Sequence, residues 1–228
     1  MVNPYNEYLS FWIDFILKTR TKICGITRLE DAQASIEAGC DALGFVFYKE
    51  SPRYIALDAF KAIAKALPPF VTKVALFVNA EPADIQKAIQ SGLIDLIQFH
   101  GEETPQFCRQ FEFPYIKALG VSSSVNLLQY EKDFYDAEAL LLDASHEYLK
   151  GGTGQTFDWN LIPNSLSKPI VLAGGLTVDN VKEAINRVKP YAVDVSGGVE
   201  ESKGIKNSFK IQAFIKETQD AAVWYARW

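Results

Sequence analysis

Three reactive side chains stand at the ends of short apolar runs in this sequence. Cys24 ends the run "TKIC", His100 follows "LIQF", and Asp143 follows "LLL". A cysteine that serves only for packing would more naturally lie in the middle of an apolar run. The positions therefore predict a reactive site, provided that the fold brings the ends of these runs together.

Each of these residues also has a purely structural interpretation. A cysteine often behaves as a small buried hydrophobe, an aspartate can cap a turn, and a histidine followed by Gly101 suits a turn. Arg53, which follows a proline in "SPR", suits a solvated loop. Residue type alone does not separate the two interpretations, so the choice depends on the elements that position these side chains.

Two glycine pairs carry a more specific signal. Gly174–Gly175 follows the apolar run "PIVLA", and Gly197–Gly198 follows "YAVDVS", with Ser196 directly before the pair. Glycine-rich strand ends leave backbone N–H groups facing an anion, especially where a short helix begins. We therefore expect a phosphate-binding site at these residues.

Eight short β-rich runs alternate with helical patterns along the chain. The runs span 21–26, 42–47, 73–78, 96–101, 115–121, 139–144, 169–175 and 191–198. Amphipathic segments lie between them, such as 29–39, 57–67, 82–92 and 177–188. Strand–helix alternation with near-continuous apolar strands indicates a parallel sheet, and eight such units in 228 residues predict a single (β/α)8 TIM barrel. An open doubly wound sheet is the alternative, but no GxGxxG follows the first run.

In such a barrel the carboxyl ends of all eight strands converge on one mouth, where the active sites of this fold lie. Cys24, His100, Asp143 and both glycine pairs stand at those ends, and Arg53 lies in the loop after the second strand. The barrel thus supplies the common location that these residues need.

Strand alternation adds an expected ion pair. Side chains two residues apart point the same way, so Lys22 shares a direction with Cys24, and Asp194 shares one with Ser196. The eighth strand neighbours the first in a closed barrel, so we expect Lys22 and Asp194 to pair inside it. A cation there would favour a thiolate at Cys24, although a pair with a structural role alone fits the pattern equally well.

Composition narrows the class of protein. Hydrophobic residues make up 48% of the chain and the net charge is −5 without a Lys/Arg cluster, so we expect a large core and no nucleic-acid partner. No apolar stretch is long enough to span a bilayer, so we expect no membrane partner. Three widely spaced cysteines and two histidines predict neither a disulfide framework nor a metal site, and free thiols suit the cytoplasm.

The residues before the first strand are expected to form an extra N-terminal helix. Large apolar residues recur there at helical spacing, namely Tyr8, Phe11, Trp12, Phe15 and Ile16. This spacing predicts an amphipathic helix that buries one face. The expected organisation is a helical extension at 1–20 followed by one catalytic barrel domain at 21–228.

The chain also carries a set of motifs in a fixed order. They are "KICGIT" (22–27), "GFVF" (44–47), "SPR" (51–53), "FVN" (77–79), "QFHGEE" (98–103), "LLDA" (141–144), "GGTGQTFDW" (151–159), "LAGGL" (172–176) and "DVSGGVE" (194–200). One motif alone would be a weak signal. Together, from about Thr21 to Glu217, they resemble the phosphoribosylanthranilate isomerase family, the barrel enzymes of tryptophan biosynthesis.

The resemblance implies an isomerase that performs an Amadori rearrangement of N-(5'-phosphoribosyl)anthranilate without a metal or a cofactor. It implies Cys24 as the general base, Asp143 as the general acid and Arg53 as the partner of the anthranilate carboxylate. The resemblance also implies that His100, Asp194 and Gly152 take part in substrate binding. It implies that the 5'-phosphate is bound by Gly174, Gly175, Ser196, Gly197 and Gly198. The implied partner is a small phosphosugar, bound by a monomer or a homodimer.

Rival functions stay open at this point. The related isomerase of histidine biosynthesis resembles a barrel that uses an aspartate where Cys24 stands, and an enzyme with both activities also fits the sequence. A non-catalytic barrel that binds a phosphorylated metabolite would keep the glycine pairs. It would need neither Cys24 nor Asp143, and the chain has both.

Overall fold

The computed structural model describes residues 15–144, 156–221 and 224–226. Its strands are β1 (Phe15–Leu17), β2 (Arg20–Cys24), β3 (Ala42–Val46), β4 (Thr72–Phe77), β5 (Leu96–Phe99), β6 (Tyr115–Val121), β7 (Ala139–Ala144), β8 (Ile170–Leu172), β9 (Ala192–Val195), β10 (Glu200–Ser202), β11 (Ile205–Lys206) and β12 (Trp224–Ala226). The α-helices are α1 (Leu29–Glu37), α2 (Leu57–Ala66), α3 (Pro82–Gln90), α4 (Pro105–Arg109), α5 (Leu127–Asp133), α6 (Val181–Val188) and α7 (Ser208–Gln219). Two short 3-10 helices span Trp159–Leu161 and Gly197–Val199. None of the described helices is long and apolar enough to cross a membrane.

Strands β2 to β9 form one closed parallel barrel in chain order. The barrel closes where β9 pairs with β2, in a register that runs from Arg20 opposite Ala192 to Ile23 opposite Val195. Each of the eight predicted runs overlaps one of these strands, so the predicted (β/α)8 barrel is confirmed. An open doubly wound sheet would leave two free edges, and this closed order leaves none.

Alternate side chains of the barrel strands face inward and outward. Outward residues such as Phe45, Phe77 and Phe99 are fully buried between the strands and the surrounding helices. Inward residues of β6 to β9 form a separate apolar cluster that includes Ile116 and Leu141. This alternation decides which residues of the strand ends can reach the inside of the mouth.

The N-terminal segment departs from its predicted helix. Residues 1–14, with Tyr8, Phe11 and Trp12, lie outside the described residues. The helix is wrong for Phe15 and Ile16, because Phe15–Leu17 forms a strand that pairs antiparallel with Trp224–Ala226. Aromatic and β-branched residues suit strands, and a helical spacing of apolar residues gives no sign of a partner strand near the other end of the chain.

A buried ion pair fixes the loops that follow β4 and β5. Lys117 on β6 lies 2.9 Å from a carboxylate oxygen of Glu103, and each side chain is at most 3% exposed. The same carboxylate accepts hydrogen bonds from the backbone N–H groups of Asn79 and Gly101, and Lys117 also donates to the Gly101 carbonyl. Burial raises the pKa of Glu103, but Lys117 and the N–H donors outweigh it and hold this pKa below its ordinary value. The loop that follows His100 is therefore held in place by this ion pair and its hydrogen bonds.

We expect Lys117→Met to lower the free energy of unfolding by about 3–5 kcal/mol, because the Glu103 carboxylate would stay buried without its partner. The contribution of Glu103 needs an ionised carboxyl, so it is present above the unfolded-state pKa of about 4.3 and is lost as the pH falls through the folded-state pKa. Denaturant unfolding at pH 7 and again at pH 3 to 4, a range set by that unfolded-state pKa, measures both effects. The difference in the free energy of unfolding between wild type and Lys117→Met should be smaller at the lower pH.

The matched control is Lys61→Met, which removes an ammonium from the exposed pair with Asp58 at 3.3 Å. An exposed pair of this kind contributes at most about 1 kcal/mol. A loss for Lys117→Met no larger than that for Lys61→Met would show that the buried pair does not anchor these loops.

Candidate active site

A cavity of about 370 Å³ opens at the carboxyl ends of the barrel strands. It is lined by every predicted site residue except one, that is by Cys24, Arg53, His100, Asp143, Gly174, Gly175, Asp194, Ser196, Gly197 and Gly198. Gly152 lies outside the described residues. The barrel therefore brings together side chains that are up to 174 positions apart in the chain, from Cys24 to Gly198.

Cys24 lies at one wall of the cavity above a buried ion pair. Lys22 Nζ is 2.9 Å from Asp194 Oδ1, and both side chains are less than 10% exposed, which confirms the pair predicted from strand alternation. Gly44, opposite Cys24 in the ladder, leaves the room that this arrangement needs. A Cβ atom on Gly44 would lie 2.7 Å from the Cys24 sulfur and 3.0 Å from Lys22 Nζ.

Burial and charge act in opposite directions on the Cys24 thiol. Burial and the Asp194 carboxylate raise the pKa of Cys24, the ammonium groups of Lys22 and Lys206 lower it, and the net direction is upward. Burial likewise disfavours the charged form of Lys22, but Asp194 outweighs this and raises the pKa of Lys22 above its ordinary value. The predicted cation beneath Cys24 is therefore present and favours a thiolate, although the pKa of the thiol stays above its ordinary value.

Asp143 ends β7 at another wall, beside His100. Its Oδ1 accepts a hydrogen bond of 2.8 Å from the Ala144 N–H, and its Oδ2 lies 3.3 Å from Nε2 of His100. The other ring nitrogen of His100 is 2.8 Å from Nε2 of Gln98. Gly174 permits this crowding, because a Cβ atom there would lie 2.5 Å from the Ala144 nitrogen and 3.0 Å from Asp143 Oδ1.

Arg53 reaches the cavity from the loop after β3. Its Nε and Nη2 donate to the two carboxylate oxygens of Glu200, at 2.7 and 2.8 Å. This bidentate pair fixes the plane of the guanidinium. Gly25, with φ of +80°, keeps the space open, since a Cβ atom there would lie 2.6 Å from Arg53 Cδ. The resemblance implies that Arg53 holds the anthranilate carboxylate, and in this structure two of its nitrogens are bonded to Glu200.

The hairpin β10–β11 contributes Lys206, which contacts both Glu200 and Ser196. Lys206 Nζ donates to Glu200 Oε1 at 3.0 Å and to the carbonyl and hydroxyl oxygens of Ser196 at 3.2 and 3.3 Å. Burial lowers the pKa of Lys206 below its ordinary value. Sequence reasoning missed Glu200 and Lys206 as parts of the site. Glu200 ends the motif "DVSGGVE" and lies in the charged segment "VEESKG" after the second glycine pair, whereas Lys206 lies beyond both.

The two glycine pairs meet on one side of the mouth. Gly174 and Gly175 have φ of +79° and +65°, and Gly197–Val199 forms a 3-10 helix. A Cβ atom on Gly198 would collide with the carbonyl oxygen of Leu176, so only glycine lets the two segments approach. Among the described residues, the N–H groups of Gly174, Gly175, Gly197 and Gly198 have no protein acceptor. Such unpaired donors around one corner of a cavity suit an oxyanion.

Apolar side chains complete the wall beside Cys24. Val46, Leu76 and Val78 form a buried cluster with the cysteine, and Tyr48 packs against it. All four line the cavity. No group of three or more potential metal ligands occurs among the described residues. The cavity thus combines a thiol, a carboxyl, a guanidinium and an oxyanion corner with an apolar patch.

Comparisons with known proteins match this chain to one enzyme family. The sequence model described as N-(5'phosphoribosyl)anthranilate (PRA) isomerase matches residues 21–217. The N-(5'-phosphoribosyl)anthranilate isomerase of Pseudomonas fluorescens (strain Pf0-1) is 55% identical over 196 residues, which cover 86% of this chain and 96% of that relative. The crystal structure of the phosphoribosyl anthranilate isomerase from Thermotoga maritima has a TM-score of 0.80 at 42% identity, over 89% of this chain and 99% of that one.

A second crystal structure of a phosphoribosyl anthranilate isomerase is a complex with reduced 1-(o-carboxyphenylamino)-1-deoxyribulose 5-phosphate. It has a TM-score of 0.74 at 39% identity and covers 89% of this chain and 99% of its own. From the family match, the close relatives and the shared barrel, this chain belongs to the N-(5'-phosphoribosyl)anthranilate isomerase family.

Proposed function

We propose that this chain converts N-(5'-phosphoribosyl)anthranilate to 1-(2-carboxyphenylamino)-1-deoxyribulose 5-phosphate by general acid and base catalysis. It is an aldose–ketose isomerase, an intramolecular oxidoreductase of tryptophan biosynthesis. The observation that carries the proposal is that Cys24 and Asp143 face one cavity, which also contains an oxyanion corner and a guanidinium. The substrate has a sugar between a phosphate and a carboxylate, which matches that arrangement.

Asp143 is proposed as the general acid that opens the ribose ring. Its carboxyl proton passes to the ring oxygen, the C1'–O bond breaks, and the anilino nitrogen and C1' form an iminium cation. The Ala144 N–H at Oδ1 and His100 at Oδ2 hold the carboxyl plane in place. Both groups remain to stabilise the carboxylate that forms when the proton has left.

Cys24 is proposed as the general base for the next step. The iminium acidifies the proton on C2', the sulfur accepts that proton, and the resulting enolamine tautomerises to the ketone. Lys22 and Lys206 favour the thiolate electrostatically, and the positive charge of the bound iminium adds to this effect. Strands β2 and β7 are three strands apart around the closed barrel, so the acid and the base reach the sugar from different sides of the mouth.

The remaining groups are proposed to grip the two ends of the substrate. Arg53, oriented by Glu200, pairs with the anthranilate carboxylate, and the apolar patch beside Cys24 receives the aromatic ring. The N–H groups of the glycine pairs, with Ser196, bind the 5'-phosphate at the opposite end. His100, Asp194 and Gly152 keep their predicted role in forming the substrate site.

We further propose that residues 21–228 act as one catalytic domain, with residues 1–20 as an extension of it. Cys24, Cys40 and Cys108 are free and buried, which suits a reducing compartment such as the cytoplasm. The partner is the small phosphosugar, taken up by a monomer or a homodimer. Neither the proposed substrate binding nor the proposed catalysis needs a nucleic acid or a membrane.

We expect Cys24→Ala and Asp143→Asn each to lower kcat by about 10²–10⁴, or about 3–5 kcal/mol of barrier. Cys24→Ser should also be poor, because a hydroxyl yields almost no anion at neutral pH. Binding of a product analogue should change little, since the phosphate and carboxylate contacts remain. Steady-state turnover of phosphoribosylanthranilate and calorimetric binding of the reduced product measure the two quantities.

The control is Cys108→Ala, which removes a buried thiol on α4 that packs in the main hydrophobic core and does not line the cavity. It should leave kcat near the wild-type value. Near-normal turnover by Cys24→Ala would refute the assignment of the base. Turnover of the histidine-pathway substrate but not of phosphoribosylanthranilate would refute the proposed substrate.

We expect Gly198→Ala to raise KM by about 10- to 100-fold, because the added methyl group pushes the two glycine segments apart. A hydrogen bond to a charged group contributes about 1.5–3 kcal/mol, which corresponds to that change in affinity. Competitive inhibition by inorganic phosphate should weaken in parallel.

Gly92→Ala is the matched control for an added methyl group. Gly92 also has a positive φ, of +65°, but no atom lies within 4 Å of the added Cβ and the residue is remote from the cavity. The control should lose some stability and keep its KM. Equal KM values for Gly198→Ala and wild type would rule out phosphate binding at this corner.

A further inference from the structure

Gln98 is a buried polar residue to which the proposed mechanism assigns no role. It lies on β5 two residues before His100, so both side chains point into the barrel, and both line the cavity. Gln98 is 0% exposed. Its Nε2 lies 2.8 Å from Nδ1 of His100, while its Oε1 is buried and finds no donor in the part of the chain that the structure describes.

The Gln98 amide lies where it can set the tautomer of His100. With its nitrogen toward Nδ1, the amide donates and Nδ1 accepts, so a neutral imidazole carries its proton on Nε2. That N–H faces Oδ2 of Asp143 at 3.3 Å. The opposite amide orientation would place the proton on Nδ1 and turn a lone pair of Nε2 toward Asp143, which would repel the carboxylate that forms once Asp143 has given up its proton.

Packing alone does not explain a glutamine at this position. The ladder partners of Gln98 are Leu76 and Ile116, both apolar. A buried amide with one unpaired atom costs stability, whereas an apolar side chain of similar length would leave no polar atom unpaired. A residue that is unfavourable for the fold and bonded to a histidine in the cavity is best explained by what it does to that histidine.

We propose that Gln98 is a positioning residue that holds His100 with its Nε2–H directed at Asp143. When the Asp143 proton moves to the ring oxygen, the new carboxylate accepts the Nε2–H hydrogen bond, and the imidazole proton itself stays on Nε2. Gln98 thus acts through His100 and does not touch the substrate. The assignment of Asp143 as the acid rests on the proposed function, while the tautomer rests on the geometry alone.

The test is Gln98→Met, which removes the amide and keeps the length of the side chain. Long-range ¹H–¹⁵N NMR distinguishes protonated from unprotonated ring nitrogens, and the chain has only two histidines, His100 and His146, so a His146→Gln background isolates the signal. We expect Nε2–H alone in the parent protein and a mixture of tautomers in Gln98→Met. We also expect kcat to fall about 10- to 100-fold, at or below the low end of the contribution of a general acid, which is about 10²–10⁴, with KM nearly unchanged and a melting temperature equal to or above that of the parent.

Gln110→Met, at an exposed glutamine after α4, is the matched control and should alter none of these quantities. Gln98→Glu is the second variant, and its carboxylate should draw a proton onto Nδ1. Protonated Nδ1 in the parent protein, or unchanged tautomer and kcat in Gln98→Met, would overturn the proposal, as would a Gln98→Glu protein without a proton on Nδ1. Absence of any turnover in the parent would refute the proposed function instead, and the NMR result would still decide the role of Gln98.

Discussion

The hydrogen-bonded ladder between β9 and β2 is the constraint on which the site depends. It closes the barrel by pairing Lys22 with Asp194 in register, and so brings Ser196 and the second glycine pair next to Cys24. With this seam open, the base and the oxyanion corner would sit at opposite edges of a sheet. The closed ladder also places β7, with Asp143, three strands from β2 around the mouth, and proton transfer at two positions of one sugar requires such a separation of acid and base.

Several charges buried beneath the mouth are costly for the fold. The Lys22–Asp194 pair lies inside the barrel, and Lys206 is buried under Arg53 and Glu200. Well-packed apolar residues in place of such pairs are often equally or more stabilising. The buried charges instead serve the site, because they orient a thiol, a guanidinium and a serine around the cavity and set the electric field there. The protein gives up some stability for this arrangement, as active sites commonly do.

Regular elements and inward-facing strand residues were predictable from the sequence. Apolar runs bounded by glycine and helical segments identified all eight barrel strands, and a period of two identified the Lys22–Asp194 pair. Glu200, Lys206 and Gln98 escaped prediction, because their roles arise from contacts between segments that are distant in the chain. The pairing of Phe15–Leu17 with Trp224–Ala226 escaped for the same reason, since a local periodicity gives no information on a partner strand more than 200 residues away.

The most direct measurement of the central claim is a crystal structure of this protein with reduced 1-(2-carboxyphenylamino)-1-deoxyribulose 5-phosphate bound. The account predicts the Cys24 sulfur roughly 3–3.5 Å from C2' of the sugar chain, the spacing of reacting atoms in a productive complex. It also predicts Asp143 on the opposite face beside the former ring oxygen, with the phosphate between the two glycine pairs. A ligand bound in the reverse direction, or with Cys24 and Asp143 on the same face of the sugar, would contradict it.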